Sequence, residues 1–369
     1  MTEKDKIQKE IIHKIVENNF NGFVRALTGL GKGKIMVETI KILNPTSILY
    51  LCNSTDLRDK TFKDEIIKWG AEKYLDRIDF RCYQTTQRWK GKEYDLVIGD
   101  EADFSLTDKY SNVYFNNTFK HKLLFSGSLS QEKERILKQI VPIIYEIHVV
   151  EGEEKKIVNK ASITHVNYLL NSEENKKYLS YNNAFKRILA GKIKLSSHEQ
   201  FKLKQIQLGR KHFLGNLTTS VSACRKLLAT LYKENPKFKA LIFCNSKEQA
   251  DKVCKHSYYS GNEDLNNLER FDNDEIQVLS VVAKIDRGVN ISGVDNIVFE
   301  APGKSETALS QKSGRGRRLS VDDIVHLFFL IPYFKNLRGE ITPTIVKAHV
   351  EESTINLNTT QIKIKNYVN

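Results

Sequence analysis

The chain has no run of about 18 apolar residues, so no segment reads as a membrane span. Its opening, MTEKDKIQKEIIHKIV, lacks the apolar centre of a signal peptide and reads as a charged amphipathic helix. Cysteine is sparse. Cys52, Cys82, Cys224, Cys244 and Cys254 are scattered without metal-ligand spacing, which argues against a zinc module and a disulfide scaffold. Cys52, Cys82 and Cys244 lie in or beside apolar runs and read as reduced core residues of a cytosolic protein. There is no internal repeat and no low-complexity tract.

Positive charge is in excess. The 369 residues carry 58 Lys and Arg against 45 Asp and Glu, a net +13 with a pI near 9.3. That balance points to a polyanionic partner, most simply nucleic acid. The length suits two or three domains, and 40% hydrophobic residues suffice for real cores.

Residues 1–150 alternate strand and helix signals. GFVRAL, TSILYLC, IDFRCY, YDLVIGD and KLLFSGS are short apolar runs. KIMVETIKIL and LRDKTFKDEIIKWG have helical spacing, the latter closed by Gly70. The pattern predicts a mostly parallel sheet covered on both faces, with ligands at the carboxyl ends of its strands. Residues 151–210 are highly charged and lysine-rich and read as a helical connector. A second alternating block spans 211–332, and 333–369 form a tail without a clear period.

Three stretches carry chemistry. ALTGLGKG, residues 26–33, approximates the phosphate-binding pattern G-x-x-x-x-G-K-[ST], between a strand and a helix. Gly29 and Gly31 let backbone N–H groups converge on phosphate, and Lys32 meets the terminal phosphates. Gly33 stands where a magnesium-binding hydroxyl is usual. The bland alternative is a glycine-rich turn. An apolar strand ending in Asp100-Glu101-Ala102-Asp103 supplies carboxylates suited to holding magnesium and polarising water, the alternative being a solvated acidic turn. GRGRR at 314–318 is either a basic patch or a pair of catalytic arginines.

Taken together, these stretches resemble the superfamily 2 (DExD/H-box) helicases. ALTGLGKG resembles the first motif of that family, DEAD at 100–103 matches the second, and Ser126-Gly127-Ser128 stands for the third. LIFCNSKEQA, AKIDRGVNI at 283–291 and QKSGRGRR at 311–318 resemble the fourth to sixth, all in family order. The resemblance implies two tandem RecA-like P-loop α/β domains and ATP with Mg2+ as cofactors. It implies phosphate binding by Lys32, magnesium coordination by Asp100 and a catalytic base in Glu101. Arg315 and Arg318 become arginine fingers, with Arg317 adjacent, and Gln311 at the head of the same motif is grouped with the catalytic residues. Gln8 becomes the adenine-reading residue, and Asp286 and Gly288 couple the second domain to ATP. Ser126 and Ser128 become coupling residues. Asn53, Ser54, Thr85, Thr86, Asn245 and Ser246 become nucleic-acid contacts, while Tyr83 and Trp89 read as packing residues.

The compact size and motif variants resemble small phage-encoded DNA helicases, which implies a monomer acting in the host cytoplasm. Gln311, where RNA helicases of the DEAD type carry His, favours DNA over RNA. A duplex translocase and an ATP-gated clamp remain the alternative activities.

Overall fold

In a computed structural model, the described residues are 2–27, 29–55, 57–190, 194–259, 265–282, 293–302, 323–354 and 362–367. They form two compact units that divide between Asn159 and Lys160.

The first unit is built on six parallel strands: β1 (Gly22–Arg25), β2 (Ile48–Cys52), β3 (Ile78–Cys82), β4 (Glu93–Gly99), β5 (Thr118–Ser126) and β6 (Ile143–Glu146), in the order β3-β2-β4-β5-β1-β6. Side chains alternate across a strand, so a sheet covered on both faces needs apolar residues at successive positions. β2 shows this. Ile48, Tyr50 and Cys52 pack into one core and Leu49 and Leu51 into the other, all fully buried. Helices α1 (Glu3–Glu17), α2 (Lys32–Leu43) and α3 (Phe62–Lys68) flank the sheet. Thr2 and Asp5 form a reciprocal cap at the start of α1, whose stripe Ile7, Ile11 and Ile15 faces the core. Gly70, at φ +63°, ends the α3 segment where the sequence places its stop.

The second unit holds eight strands: β7 (Lys160–Leu169), β8 (Ala240–Phe243), β9 (Ser257–Tyr258), β10 (Val278–Val281), β11 (Asn296–Phe299), β12 (Ile324–Lys335), β13 (Ile341–Pro343) and β14 (Ile362–Tyr367). The path is β14-β7-β12-β11-β8-β10-β9, all parallel, with β13 antiparallel on β12. Its helices include α4 (Ser172–Leu189), α5 (Ser197–Leu214), α6 (Thr218–Glu234), α7 (Lys247–Val253) and α8 (Ile345–Thr354).

Two boundaries differ from the sequence reading. The segment 151–210 is not a purely helical connector: β7 runs through it and pairs with β12 from Lys160↔Ile324 to Leu169↔Tyr333, inside the second sheet. The tail 333–369 likewise belongs to this unit, adding α8 and the strand β14 beside β7. The helix expected over ETALSQKSGRGRR lies outside the described residues.

A candidate nucleotide site at three adjacent strand ends

Strands β4, β5 and β1 are neighbours in one parallel sheet, so the loops after them emerge side by side at the carboxyl edge. Those loops are Asp100–Asp103, Ser126–Ser128 and Ala26–Gly31. Backbone bonds fix the edge: Ala26 N–H donates to Ser126 C=O at 2.9 Å, and Asp100 N–H to Leu51 C=O at 2.8 Å.

In the glycine loop, Gly29 and Gly31 have φ of +95° and +87°, a left-handed backbone that glycine enters without the penalty of a Cβ. Gly31 also lacks room. A Cβ there would stand 2.6 Å from Gln8 Nε2. Helix α2 starts at the next residue, Lys32, so its unpaired N–H groups face the loop.

Lys32 Nζ lies 3.0 Å from Glu101 Oε1, both side chains largely withdrawn from water. Burial works to lower the Lys32 pKa, but Glu101 and Asp100 outweigh it and hold the value above normal, so the ammonium stays charged. Asp100 sits at the tip of β4. Burial, then the neighbouring Glu101 charge, pushes its carboxyl up to about 6 against the pull of Lys32 and Tyr50. Tyr50 O–H donates to Asp100 Oδ2 at 3.0 Å, and Tyr83 O–H to the Asp100 carbonyl at 3.0 Å. Glu101 adopts φ +49°, ψ +46°. For a residue with a Cβ this costs roughly 1–3 kcal/mol, and such strain gathers at functional sites. Here the strained backbone belongs to the residue whose carboxylate meets Lys32.

The third acid of the run has a separate task. Asp103 is buried, and Ser126 O–H donates to its Oδ1 at 2.9 Å while Lys133 Nζ lies 3.3 Å from Oδ2. Ser126 thereby ties the third motif to the second. Ser128 N–H donates to Ser126 Oγ at 3.3 Å, and the Ser128 hydroxyl is buried without a partner among the described residues.

Gln8 lies on the apolar face of α1, 4% exposed. Its Nε2 donates to Leu30 C=O at 2.7 Å, which orients the amide and leaves buried Oε1 as an acceptor without a described partner. An orphaned buried acceptor beside a phosphate loop suits the exocyclic amine of an adenine. The carboxylates of Asp100 and Glu101 are the hard oxygen donors that magnesium takes. Among the described residues no three His, Cys, Asp or Glu side chains converge into a metal cage.

Gly33 has an occupant in place of the missing side chain. A Cβ there would meet Glu65 of α3, with Cγ at 2.8 Å and Oε2 at 2.9 Å. Trp69 Nε1 donates to that same Oε2 at 2.8 Å. Sequence reading missed Glu65, Tyr50 and Lys133, and gave Tyr83 a packing role without its bond to the Asp100 carbonyl. They lie far along the chain from the motifs they touch, and residue type alone carries no signal for them.

The nucleic-acid candidates divide. Asn53 follows β2, is 8% exposed, and has neither amide atom hydrogen-bonded among the described residues. Ser54 Oγ accepts from Leu57 N–H at 3.3 Å. Thr85 is exposed, with its hydroxyl donating to Cys82 C=O at 2.8 Å. Thr86 is fully buried and its hydroxyl donates to Tyr83 C=O, so it has no surface to offer a strand, which corrects that expectation. In the second unit Asn245 is exposed, and Ser246 caps α7 by accepting from Gln249 N–H at 3.3 Å. Asp286, Gly288, Gln311, Arg315, Arg317 and Arg318 lie outside the described residues.

Both sheets are those of tandem RecA-like domains, and the first carries a P-loop facing strand-tip carboxylates. Two family models match: "Type III restriction enzyme, res subunit" over residues 2–190 and "Helicase conserved C-terminal domain" over 220–320. The first spans more than half of the chain, which thus belongs to that family, within the ATP-hydrolysing superfamily 2 helicases. Solved structures share the fold at low identity. The Hef helicase domain of Pyrococcus furiosus has 15% identity and TM-score 0.56, covering 94% of this chain and 97% of that one. The Type ISP restriction-modification enzyme LlaBIII bound to DNA has 13% identity and TM-score 0.63, with coverages of 97% and 31%. S. cerevisiae Dbp5 bound to RNA and ADP BeF3 has 13% identity and TM-score 0.61, with coverages of 98% and 89%. None of the curated proteins matches.

Proposed function

We infer that this protein is a nucleic-acid-stimulated ATPase that translocates on or unwinds DNA in replication, recombination or repair. One observation carries the reading: Lys32 of the glycine loop and Glu101 at the tip of β4 meet at 3.0 Å beside Asp100, with an orphaned acceptor on Gln8 against the same loop. Lys32 binds the terminal phosphates and in doing so releases Glu101. Glu101 then orients the attacking water and takes its proton, a role worth about 10²–10⁴ in rate. Asp100 holds magnesium, which neutralises phosphate charge when bound. Gln8 reads the adenine. Arg315 and Arg318 serve as arginine fingers with Gln311 beside them, and Asp286 and Gly288 couple the second unit to nucleotide. Ser126 and Asp103, joined at 2.9 Å, relay the nucleotide state to the rest of the sheet edge.

Asn53, Ser54 and Thr85 in the first unit and Asn245 and Ser246 in the second contact the strand. DNA is preferred because the matched family is a restriction-enzyme subunit and because Gln311 opens the sixth motif. RNA is the alternative substrate, given the likeness to an RNA-bound fold. We take the working form to be a monomer.

The test is phosphate release from ATP with single-stranded DNA, duplex DNA, RNA or no polymer, alongside Glu101→Gln. Strong stimulation by DNA, lost in the variant, is expected. No turnover with any polymer would transfer the reading to an ATP-gated clamp, which the Glu65 carboxylate at the Gly33 position favours.

A further inference from the structure

Of the net +13, the stretch 172–214 supplies more than half: ten Lys and Arg against three Glu. It folds as the antiparallel pair α4 and α5. All three acids lie in the first turn of a helix, and two serve as caps. Glu174 is buried and accepts from Thr218 N–H at 2.7 Å and Thr219 N–H at 3.2 Å, neutralising the start of α6. Glu199 closes the cap of α5 with Ser196 N–H at 3.0 Å. From Asn175 to Leu189 and from Gln200 to Leu214 there is no acid at all.

Elsewhere helical lysines have carboxylate partners a turn away: Lys14 with Glu17, Lys41 with Glu38, Lys138 with Glu134, Lys252 with Glu248. Along the hairpin, Lys186, Arg187, Lys194, Lys202 and Lys204 are exposed and form no salt bridge among the described residues. Large apolar side chains stand among them, Phe201 at 60% and Leu208 at 57% exposed.

The pair is rigidly rooted. Asn175 exchanges hydrogen bonds with the Lys335 backbone at 2.7 and 2.9 Å, and buried Tyr178 O accepts from Ile345 N–H at 3.1 Å. The helices also lock to each other. Arg210 donates to Asn182 at 3.1 Å, and the Tyr181 and Phe213 rings lie 5.8 Å apart. Gly209 permits the approach, since a Cβ there would stand 3.1 Å from Tyr181. Eighteen residues make each helix about 27 Å long.

We propose that this hairpin is a nucleic-acid-binding arm that grips the phosphate backbone, with Phe201 against sugar or base. A polyphosphate is the partner because the hairpin offers several exposed cations without a salt bridge among the described residues, on a rigid support. Each phosphate neutralised releases counterion, so binding carries the hairpin's signature in its salt dependence. The inference rests on the proposed function for the identity of the polymer but not for its own test.

The experiment compares the full chain with K186Q/R187Q/K202Q/K204Q, and with a control losing three exposed lysines outside the hairpin (K226Q/K233Q/K237Q). Binding of a fluorescent DNA duplex and single strand is measured from 50 to 250 mM salt. The salt slope of the hairpin variant should fall by about 3 and its affinity at 100 mM by more than about tenfold. The control should follow the parent, and polymer-free ATP turnover should be unchanged. F201A should weaken the single strand more than the duplex. An unchanged slope in the quadruple variant, or an equal loss in the control, overturns the arm. So does binding of the parent to phosphatidylserine vesicles with no affinity for DNA or RNA. DNA binding that depends on the hairpin without any stimulated turnover leaves the arm standing and removes the motor.

Discussion

Two strands in this molecule end alike and do different things. β4 runs apolar into Asp100 and Glu101, and β11 runs apolar into Glu300. Both are parallel strands inside a sheet, and in both burial raises the carboxyl, Asp100 to about 6 and Glu300 to about 7. The difference lies in what faces them. At the first tip Lys32, Tyr50 and Tyr83 are in place, and a strained Glu101 backbone turns its carboxylate to the lysine. At the second, Glu300 is 1% exposed, bonds to Ser220 Oγ, and leaves Oε2 without a partner among the described residues. An acid at a strand end is therefore not in itself a catalytic signature. Among the described residues a cation faces only the first tip, and that pair holds charge where a buried acid without one sheds it.

The largest effect should come from breaking the first tip. Glu101→Gln keeps shape and removes the proton acceptor. Polymer-stimulated phosphate release should fall by at least about 10², with nucleotide binding retained. Residual turnover above a tenth of the parent would move the base elsewhere.

The same substitution at the second tip should act on stability. The folded pKa of Glu300 lies above its ordinary 4.5, so the native chain holds a proton that the unfolded chain releases between about 4.5 and about 7. Stability from this group is full below that window, declines as pH rises through it, and is flat above. Glu300→Gln mimics the protonated form. Its urea stability relative to the parent should be near level at pH 4.5 and about 3 kcal/mol higher at pH 8. A gap that does not widen with pH would mean that Glu300 is charged in the fold.

Gly33 sharpens the comparison from the loop side. Restoring a hydroxyl with Gly33→Thr brings a Cβ onto Glu65, so the side chain must swing away and give up Trp69 Nε1. A loss of about 1–2 kcal/mol is expected, largely recovered in Gly33→Thr/Glu65→Ala. Additive effects in that thermal-melt cycle would show that the two side chains do not compete for the space.

How much of this was legible depends on distance along the chain. The glycine loop, the Asp100–Asp103 run and the Ser126 turn are contiguous strings at strand ends, and short apolar runs located their strands. β7 was hidden because KASITHVNYL follows the charged EGEEKK and alternates apolar with polar residues instead of running apolar. β14, IKIKNY, reads as a polar tail because lysines alternate along it, a common guard on a strand at a sheet edge. Thr86 looked like a surface hydroxyl because its helical turn is one residue from exposed Thr85, and burial there is decided by the fold around it. Glu65, Tyr50 and Lys133 reach the site from separate elements, which no local pattern encodes.

The smallest expected effect distinguishes two proton arrangements at the second tip. Ser220 Oγ lies within hydrogen-bond reach of Glu300 Oε1 and of Leu217 C=O, the latter at 2.7 Å. A hydroxyl has one proton and cannot donate to both. With Glu300 raised to about 7, the acid carries a proton below that pH. Ser220 works against that shift, because a hydroxyl that donates to Glu300 Oε1 favours the carboxylate. Ser220→Ala should therefore push the Glu300 carboxyl up further, and its cost should be larger above about pH 7 than below. The loss should be about 1 kcal/mol at pH 5 and about 2 kcal/mol at pH 8 by urea unfolding. A loss that shrinks with pH instead would mean that Glu300 is the donor and that Ser220 gives its own proton to Leu217.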